Sequence, residues 1–129
     1  ALFGNSSLNI LLEKLEEVAP EIFAVKLGHR GSIVRNPSDK SYYYIPAYPA
    51  NVIDATGAGD SYCGGFMVGL QEHNNPIEAA LFGTVSASFL IEGFGALHAL
   101  KTTEEQAFER LTFLQSQVKL LSESNLDIL

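Results

Sequence analysis

A single cysteine, Cys63, excludes an intrachain disulfide and fits a reducing, cytoplasmic setting. Basic residues are scarce. Against 15 Asp and Glu stand 8 Lys and Arg, for a net charge of -7. Such a chain gains nothing from the phosphate backbone of a nucleic acid, which is set aside as a partner. A phosphorylated metabolite remains possible, because backbone amides can supply positive potential locally. No apolar run approaches the length of a membrane span and no charged-then-apolar leader opens the chain, so no membrane partner is expected. Repeats, low-complexity tracts and Pro/Gly/Ser-rich linkers are missing too, so residues 1–129 read as one domain. The chain lacks an initiator Met, and Ala1-Leu2-Phe3-Gly4 reads like the end of a helix terminated by Gly4. It is therefore expected to be a fragment.

What is present is ordinary for a globular domain: 47% hydrophobic and 18% charged residues, too apolar for disorder. Leu8, Leu11, Leu12, Leu15 and Val18 follow helical spacing up to Pro20. Ile22 to Leu27 has the pattern of a buried strand, interrupted only by Lys26. After a Gly28-His29-Arg30-Gly31 turn, Ser32–Arg35 and Ser41–Ile45 read as antiparallel strands joined by a turn over 36–40. Residues 46–54 are extended. A helix is expected from about Asp60 to Glu72. A second begins at the Asn75-Pro76 cap and buries Ile77, Ala80, Leu81, Thr84, Val85 and Ser88 until Gly93 and Gly95 break it. A last helix opens on a Thr103/Gln106 capping box and carries Ala107, Leu111, Leu114, Val118 and Leu121 as its buried stripe. The order α-β-β-β-α-α-α gives an α/β class with a mixed sheet.

The chemistry concentrates in Asp54-Ala55-Thr56-Gly57-Ala58-Gly59-Asp60-Ser61-Tyr62-Cys63-Gly64-Gly65-Phe66. With no bulky side chains in the way, the amides of Gly57, Ala58, Gly59 and Asp60 can converge at a helix N-terminus, where free N–H groups and the helix dipole favour an anion. A carboxylate at Asp60 is misplaced among phosphate-binding amides unless it faces a second substrate, whose hydroxyl proton it would accept. The bland alternative is a glycine-rich turn with Asp60 as N-cap. No Gly-Lys-Ser/Thr follows, so this is not a Walker A loop. Tyr62 stands where a dinucleotide fingerprint needs its third glycine.

This run resembles the C-terminal signature of the ribokinase-like (PfkB) carbohydrate kinases, an Asp-x-Thr-Gly-Ala-Gly-Asp run followed by small residues and an aromatic. Val25-Lys26-Leu27-Gly28-His29-Arg30-Gly31 resembles that family's strand-turn segment beside the ATP phosphates, and the hairpin over 32–45 matches as well. The resemblance covers essentially the whole chain but only the C-terminal part of the family domain. The family's Gly-Gly sugar signature, β lid and Asn-x-x-Glu motif have no counterpart here.

The resemblance implies a Rossmann-like ribokinase-type core, three-layer α/β/α, and ATP-dependent phosphorylation of an alcohol on a sugar or nucleoside. Asp60 maps onto the catalytic base, and Gly57, Ala58 and Gly59 onto the anion hole. Lys26, Gly28, His29 and Gly31 fall beside the nucleotide phosphates, with Mg2+ bridging those phosphates. Thr84 and Ser88 approach the adenine pocket. The backbones of Asp54 and Thr56, with the segment from Ile91 to Gly95, match a monovalent-cation site that would hold K+. Each has a structural alternative: a plain turn at 28–31, close helix packing at Thr84 and Ser88, a helix end at Gly93-Phe94-Gly95. Cys63 reads as a small core residue, His29 as exposed, and Tyr42-Tyr43-Tyr44 as a half-exposed strand able to meet a partner at a sheet edge. Two rival functions stay open: an NAD-type oxidoreductase built on Gly57-x-Gly59, which needs a strand after the helix, and a catalytically silent nucleotide-binding fragment. Surface left uncovered in a fragment would favour self-association as a homodimer.

Overall fold

The computed structural model describes Lys14, Glu17, residues 23–93 and residues 103–121. Its organising element is a hairpin of β2 (Ser32–Asn36) and β3 (Ser41–Ile45), flanked by β1 (Ala24–Lys26) and β4 (Lys119–Leu120) in the order β1-β2-β3-β4. The hairpin turn is fixed by side chains. The Ser38 amide donates to Asn36 Oδ1 and the Ser41 amide to Asp39 Oδ1, while Lys40 takes the left-handed conformation.

Register explains which residues form the core. Val34 opposes Tyr43 and Ser32 opposes Ile45, whereas Ile33 opposes Tyr44. Because side chains alternate across a strand, Val34 and Ile45 point to one face and Ile33 and Tyr42 to the other. On the first face Val34 and Ile45 meet Ala80, Leu81, Val85, Phe89 and Leu114, all buried.

Among the described residues three helices follow: α1 (Ala58–His73), α2 (Pro76–Leu90) and α3 (Glu104–Gln115). Helix α2 is buried over most of its surface, including Ala79, Ala80, Leu81, Gly83, Thr84, Val85 and Ser88. It starts as expected, Asn75 Oδ1 accepting the Ile77 and Glu78 amides ahead of Pro76. Glycines let α1 and α2 touch backbone to backbone. A Cβ on Gly65 would lie 2.6 Å from the Phe82 carbonyl oxygen, and one on Gly83 2.8 Å from that of Tyr62. The Thr103/Gln106 capping box is present with both hydrogen bonds.

Several expectations change. All three described strand pairings are antiparallel, so the mixed sheet is not seen among the described residues. Strand β1 is half-buried rather than buried, and Lys26 is exposed. The last helix stops at Gln115. The Ser116 and Gln117 amides turn back to Phe113 and Leu114, and Lys119–Leu120 pairs with Tyr43–Tyr44, so Val118 and Leu121 pack from outside a helix. That pairing makes β3 an inner strand with Tyr42 buried, which removes the expected sheet-edge contact. Cys63 is exposed, not a core residue. The readings of the leading helix at 8–18, of Gly4 as a helix end and of Phe94-Gly95 lie outside the described residues, Lys14 and Glu17 being helical. Among the described residues no helix is long and apolar enough to cross a membrane.

Candidate active site

The turn after β1 sets one wall. Gly28 (φ 64°) and Gly31 (φ 104°) bracket a single 3-10 turn over Gly28–Arg30. At Gly31 the requirement is steric as well as conformational, since a Cβ would stand 2.2 Å from the Ile45 carbonyl oxygen. The Tyr44 hydroxyl donates to the Arg30 carbonyl and holds the turn against β3.

The second wall is the start of α1. Gly57, not Asp60, is the N-cap, left-handed at φ 82°, and no side chain caps the helix. This overturns the reading of Asp60 as a cap and starts the helix at Ala58. The Ala58 amide closes a turn onto the Ala55 carbonyl (3.1 Å), and the first helical bond runs from the Ser61 amide to Gly57. Among the described residues the amides of Gly57, Gly59 and Asp60 have no acceptor. Three of the four amides expected to hold an anion are therefore available, and Ala58 is the one engaged. Asp60 is exposed in the first turn.

A cation stands over this turn. Lys26 Nζ lies 4.0 Å from Cys63 Sγ, 5.8 Å from the Tyr62 ring centroid and 3.2 Å from where a Gly59 Cβ would be. Tyr62 is buried below it, its hydroxyl donating to Ser32 Oγ at 3.3 Å. Burial pushes the Tyr62 phenol up from its usual range, the Ser32 hydrogen bond only partly opposing it.

The loop before α1 is tied down at its start. Asp54 Oδ1 accepts the Thr56 amide (2.9 Å), which holds the Asp54 carboxyl below its usual range. The amides of Ile53 and Asp54 both donate to the Ile91 carbonyl, at 2.7 and 3.1 Å. Residues 53–56 thus meet the end of α2, as the cation expectation needs, but the Ile91 carbonyl is already taken by two donors. Among the described residues no cluster of three or more His, Cys, Asp or Glu is arranged to hold a metal.

These walls enclose a cavity of about 440 Å³. Lys26, Gly28, His29, Gly31, Ala58, Gly59, Thr84 and Ser88 all line it. Residues far apart in sequence are thereby brought together, and the exposed His29 is among them. Asp60, Gly57, Asp54 and Thr56 do not line it. The hydroxyls of Thr84 and Ser88 are spent on the Ala80 and Val85 carbonyls. They contribute shape and acceptor lone pairs rather than donors. Sequence reasoning missed Tyr48 and Val52, which also line it. No motif marks them; they reach the cavity because 46–54 runs extended past α2.

A family model for pfkB family carbohydrate kinases matches residues 2–103. The chain belongs to that family. Within this pfkB assignment the fold is the α/β fold of ribokinases. A nucleoside kinase of Methanothermobacter thermautotrophicus is 32% identical over 119 residues, covering 86% of this chain and 37% of the relative. The crystal structure of a ribokinase from Thermotoga maritima superposes with a TM-score of 0.67 at 31% identity, over 83% of this chain and 35% of that one. An Arabidopsis thaliana ribokinase complexed with ribose and ATP gives 0.69 at 25% identity, over 82% and 34%. The chain thus spans about a third of these pfkB kinases. The oxidoreductase alternative falls here, since α1 runs into α2 across Asn74-Asn75 with no strand between them.

Proposed function

We propose that this chain carries the nucleotide-binding and proton-accepting part of an ATP-dependent sugar or nucleoside kinase. The observation that carries the reading is the convergence of Gly59, whose amide has no acceptor among the described residues, Lys26 and the 28–31 turn on one cavity whose far side is formed by Thr84, Ala87 and Ser88 of α2 with Tyr48, Val52 and Ile91. Polyphosphate fits the first set, because amides at a helix N-terminus and an ammonium both favour negative charge. A base fits the second. That the Arabidopsis ribokinase is complexed with ribose and ATP supports a nucleotide as the ligand.

In the reaction an acceptor hydroxyl oxygen attacks the γ-phosphorus, the bond to the bridging oxygen breaks and ADP leaves. Asp60 accepts the hydroxyl proton. Its position in the first turn of α1, exposed and without a capping role, leaves the carboxylate for that task. The amides of Gly57, Gly59 and Asp60 receive the charge on the transferring phosphoryl group, each such donor contributing about 3 kcal/mol in the transition state. Mg2+ brought in with the nucleotide would supply positive charge that offsets part of the charge on its phosphates. K+ would sit by the backbone of Asp54 and Thr56. The setting is cytoplasmic, the acceptor a small sugar or nucleoside, and neither nucleic acid nor membrane is a partner; two copies can pair as a homodimer.

A second reading, a nucleotide-binding module without turnover, is favoured by one observation: Asp60 lies outside the lining of the cavity. Calorimetric titration with Mg-ATP, with NAD as control, tests the nucleotide assignment that both readings share. Saturable ATP binding with no NAD binding is expected, and the reverse preference would refute both. Turnover with a panel of sugars and nucleosides then separates the two.

A further inference from the structure

The wall of the cavity formed by Tyr48 and Ser88 is braced from behind by a residue beyond the family match, Arg110 on α3. Its guanidinium carbon stands 3.9 Å from the Phe89 ring centroid and 4.5 Å from that of Tyr48. One arm, Nη1, donates to Ser88 Oγ at 2.9 Å, and the other, Nη2, pairs with Glu92 Oε1. The pair is largely shielded, the side chains being 15% and 24% exposed. The Tyr48 ring is fixed a second time, edge-on against Phe113.

Two of these contacts act on residues that line the cavity, Tyr48 and Ser88. The Ser88 hydroxyl gives its proton to the Val85 carbonyl at 2.6 Å and accepts the Arg110 arm. Its rotor is therefore set, and it offers a ligand no donor. Tyr48 stands half-buried on the cavity wall, on an extended segment with no strand partner among the described residues, and its ring lies against Arg110 and Phe113. A planar guanidinium can stack on rings while its two arms serve two different acceptors, which a lysine ammonium cannot do. The contacts are thus specific to arginine rather than to positive charge.

We propose that Arg110 is a positioning residue for the base end of the nucleotide cavity: it fixes Tyr48 and Ser88 in the shape that accepts the base and does not touch the phosphates. The proposal rests on the kinase reading above. It predicts a selective effect, because the phosphate end is built from β1, its turn and α1, whereas the contacts of Arg110 among the described residues are to Tyr48, Ser88, Phe89 and Glu92.

The test compares Mg-ATP with magnesium tripolyphosphate, which has the phosphates and no base, by calorimetry on the full-length protein. In Arg110→Lys, ATP affinity should fall by about 5- to 10-fold, the scale of one ordinary hydrogen bond, while tripolyphosphate affinity stays within about 2-fold. Equal loss for both ligands would reduce Arg110 to a general structural role, and no change in either would remove it from the site. Both outcomes overturn the proposal while leaving the kinase reading intact, whereas wild-type protein that binds neither ligand overturns both. Should Arg110→Lys not fold, Glu92→Gln takes its place. It keeps the stacked guanidinium and frees one arm, and the same ATP-selective loss is expected at smaller size.

Discussion

Lys26 Nζ occupies the space beside Gly59, 3.2 Å from the point where a Cβ on that glycine would start. A strand residue and a helix N-terminus thus bring an ammonium and unpaired amides onto one spot. Lys26→Met keeps the length of the stem and removes the charge. Mg-ATP affinity should fall by about 10-fold or more, since hydrogen bonds to charged groups contribute about 1.5–3 kcal/mol. Calorimetry reads this directly, and an unchanged affinity would place Lys26 outside the phosphate site.

Asp60→Asn keeps size and polarity and removes the proton acceptor. In the full-length protein kcat should drop by about 100- to 10,000-fold, the range for general-base catalysis, with ATP affinity nearly unchanged. Turnover surviving within a few-fold would exclude the base role.

Gly57→Val meets two obstacles. The residue sits at φ 82°, and its Cβ would lie 3.3 Å from Leu90 Cδ2. A β-branched side chain at that φ is a genuine outlier. The loop should shift, and both ATP affinity and rate should fall. Retained affinity in a folded variant, checked by circular dichroism and calorimetry, would dissociate the anion hole from Gly57.

Asp54 gives a pH test. The Thr56 amide, and after it the Thr56 side chain, lower its folded pKa. A depressed carboxyl pKa contributes stability that is present above the unfolded value and lost as pH falls through the folded one. Asp54→Asn keeps an oxygen for the Thr56 amide and does not titrate. The Tm of wild type minus that of Asp54→Asn should therefore decline from about pH 4 downward and be flat above about pH 5. A difference that stays constant into acid would show that the Thr56 contact does not favour the ionised form.

The sequence made the site legible because its residues cluster in two short motifs with glycines at fixed places. The same local signals gave α2, whose Asn75 cap and Pro76 are local, and the hairpin, whose turn is fixed by Asn36 and Asp39. Reading failed where partners distant in sequence decide. Leu114, Val118 and Leu121 keep helical spacing, yet β4 forms because Tyr43 and Tyr44 offer a strand to pair with. Cys63 sits among small residues and looks like core, but that turn of α1 faces outward over Lys26. Asp60 resembles a cap by residue type, and Gly57 takes the position because only the left-handed conformation carries the loop into the helix. Arg110 has no motif at all; its role comes from three elements meeting.

The Ile91 carbonyl receives the amides of both Ile53 and Asp54. Ile91 also lines the cavity and follows directly on the helix that carries Thr84 and Ser88, while Asp54 begins the run that ends in Gly57 and Asp60. One oxygen atom is thus a clasp between the end of α2 and the strap that leads into the turn at Gly57. The two ends of the cavity are therefore joined by two hydrogen bonds at the end of α2, and not only by the chain that runs between them.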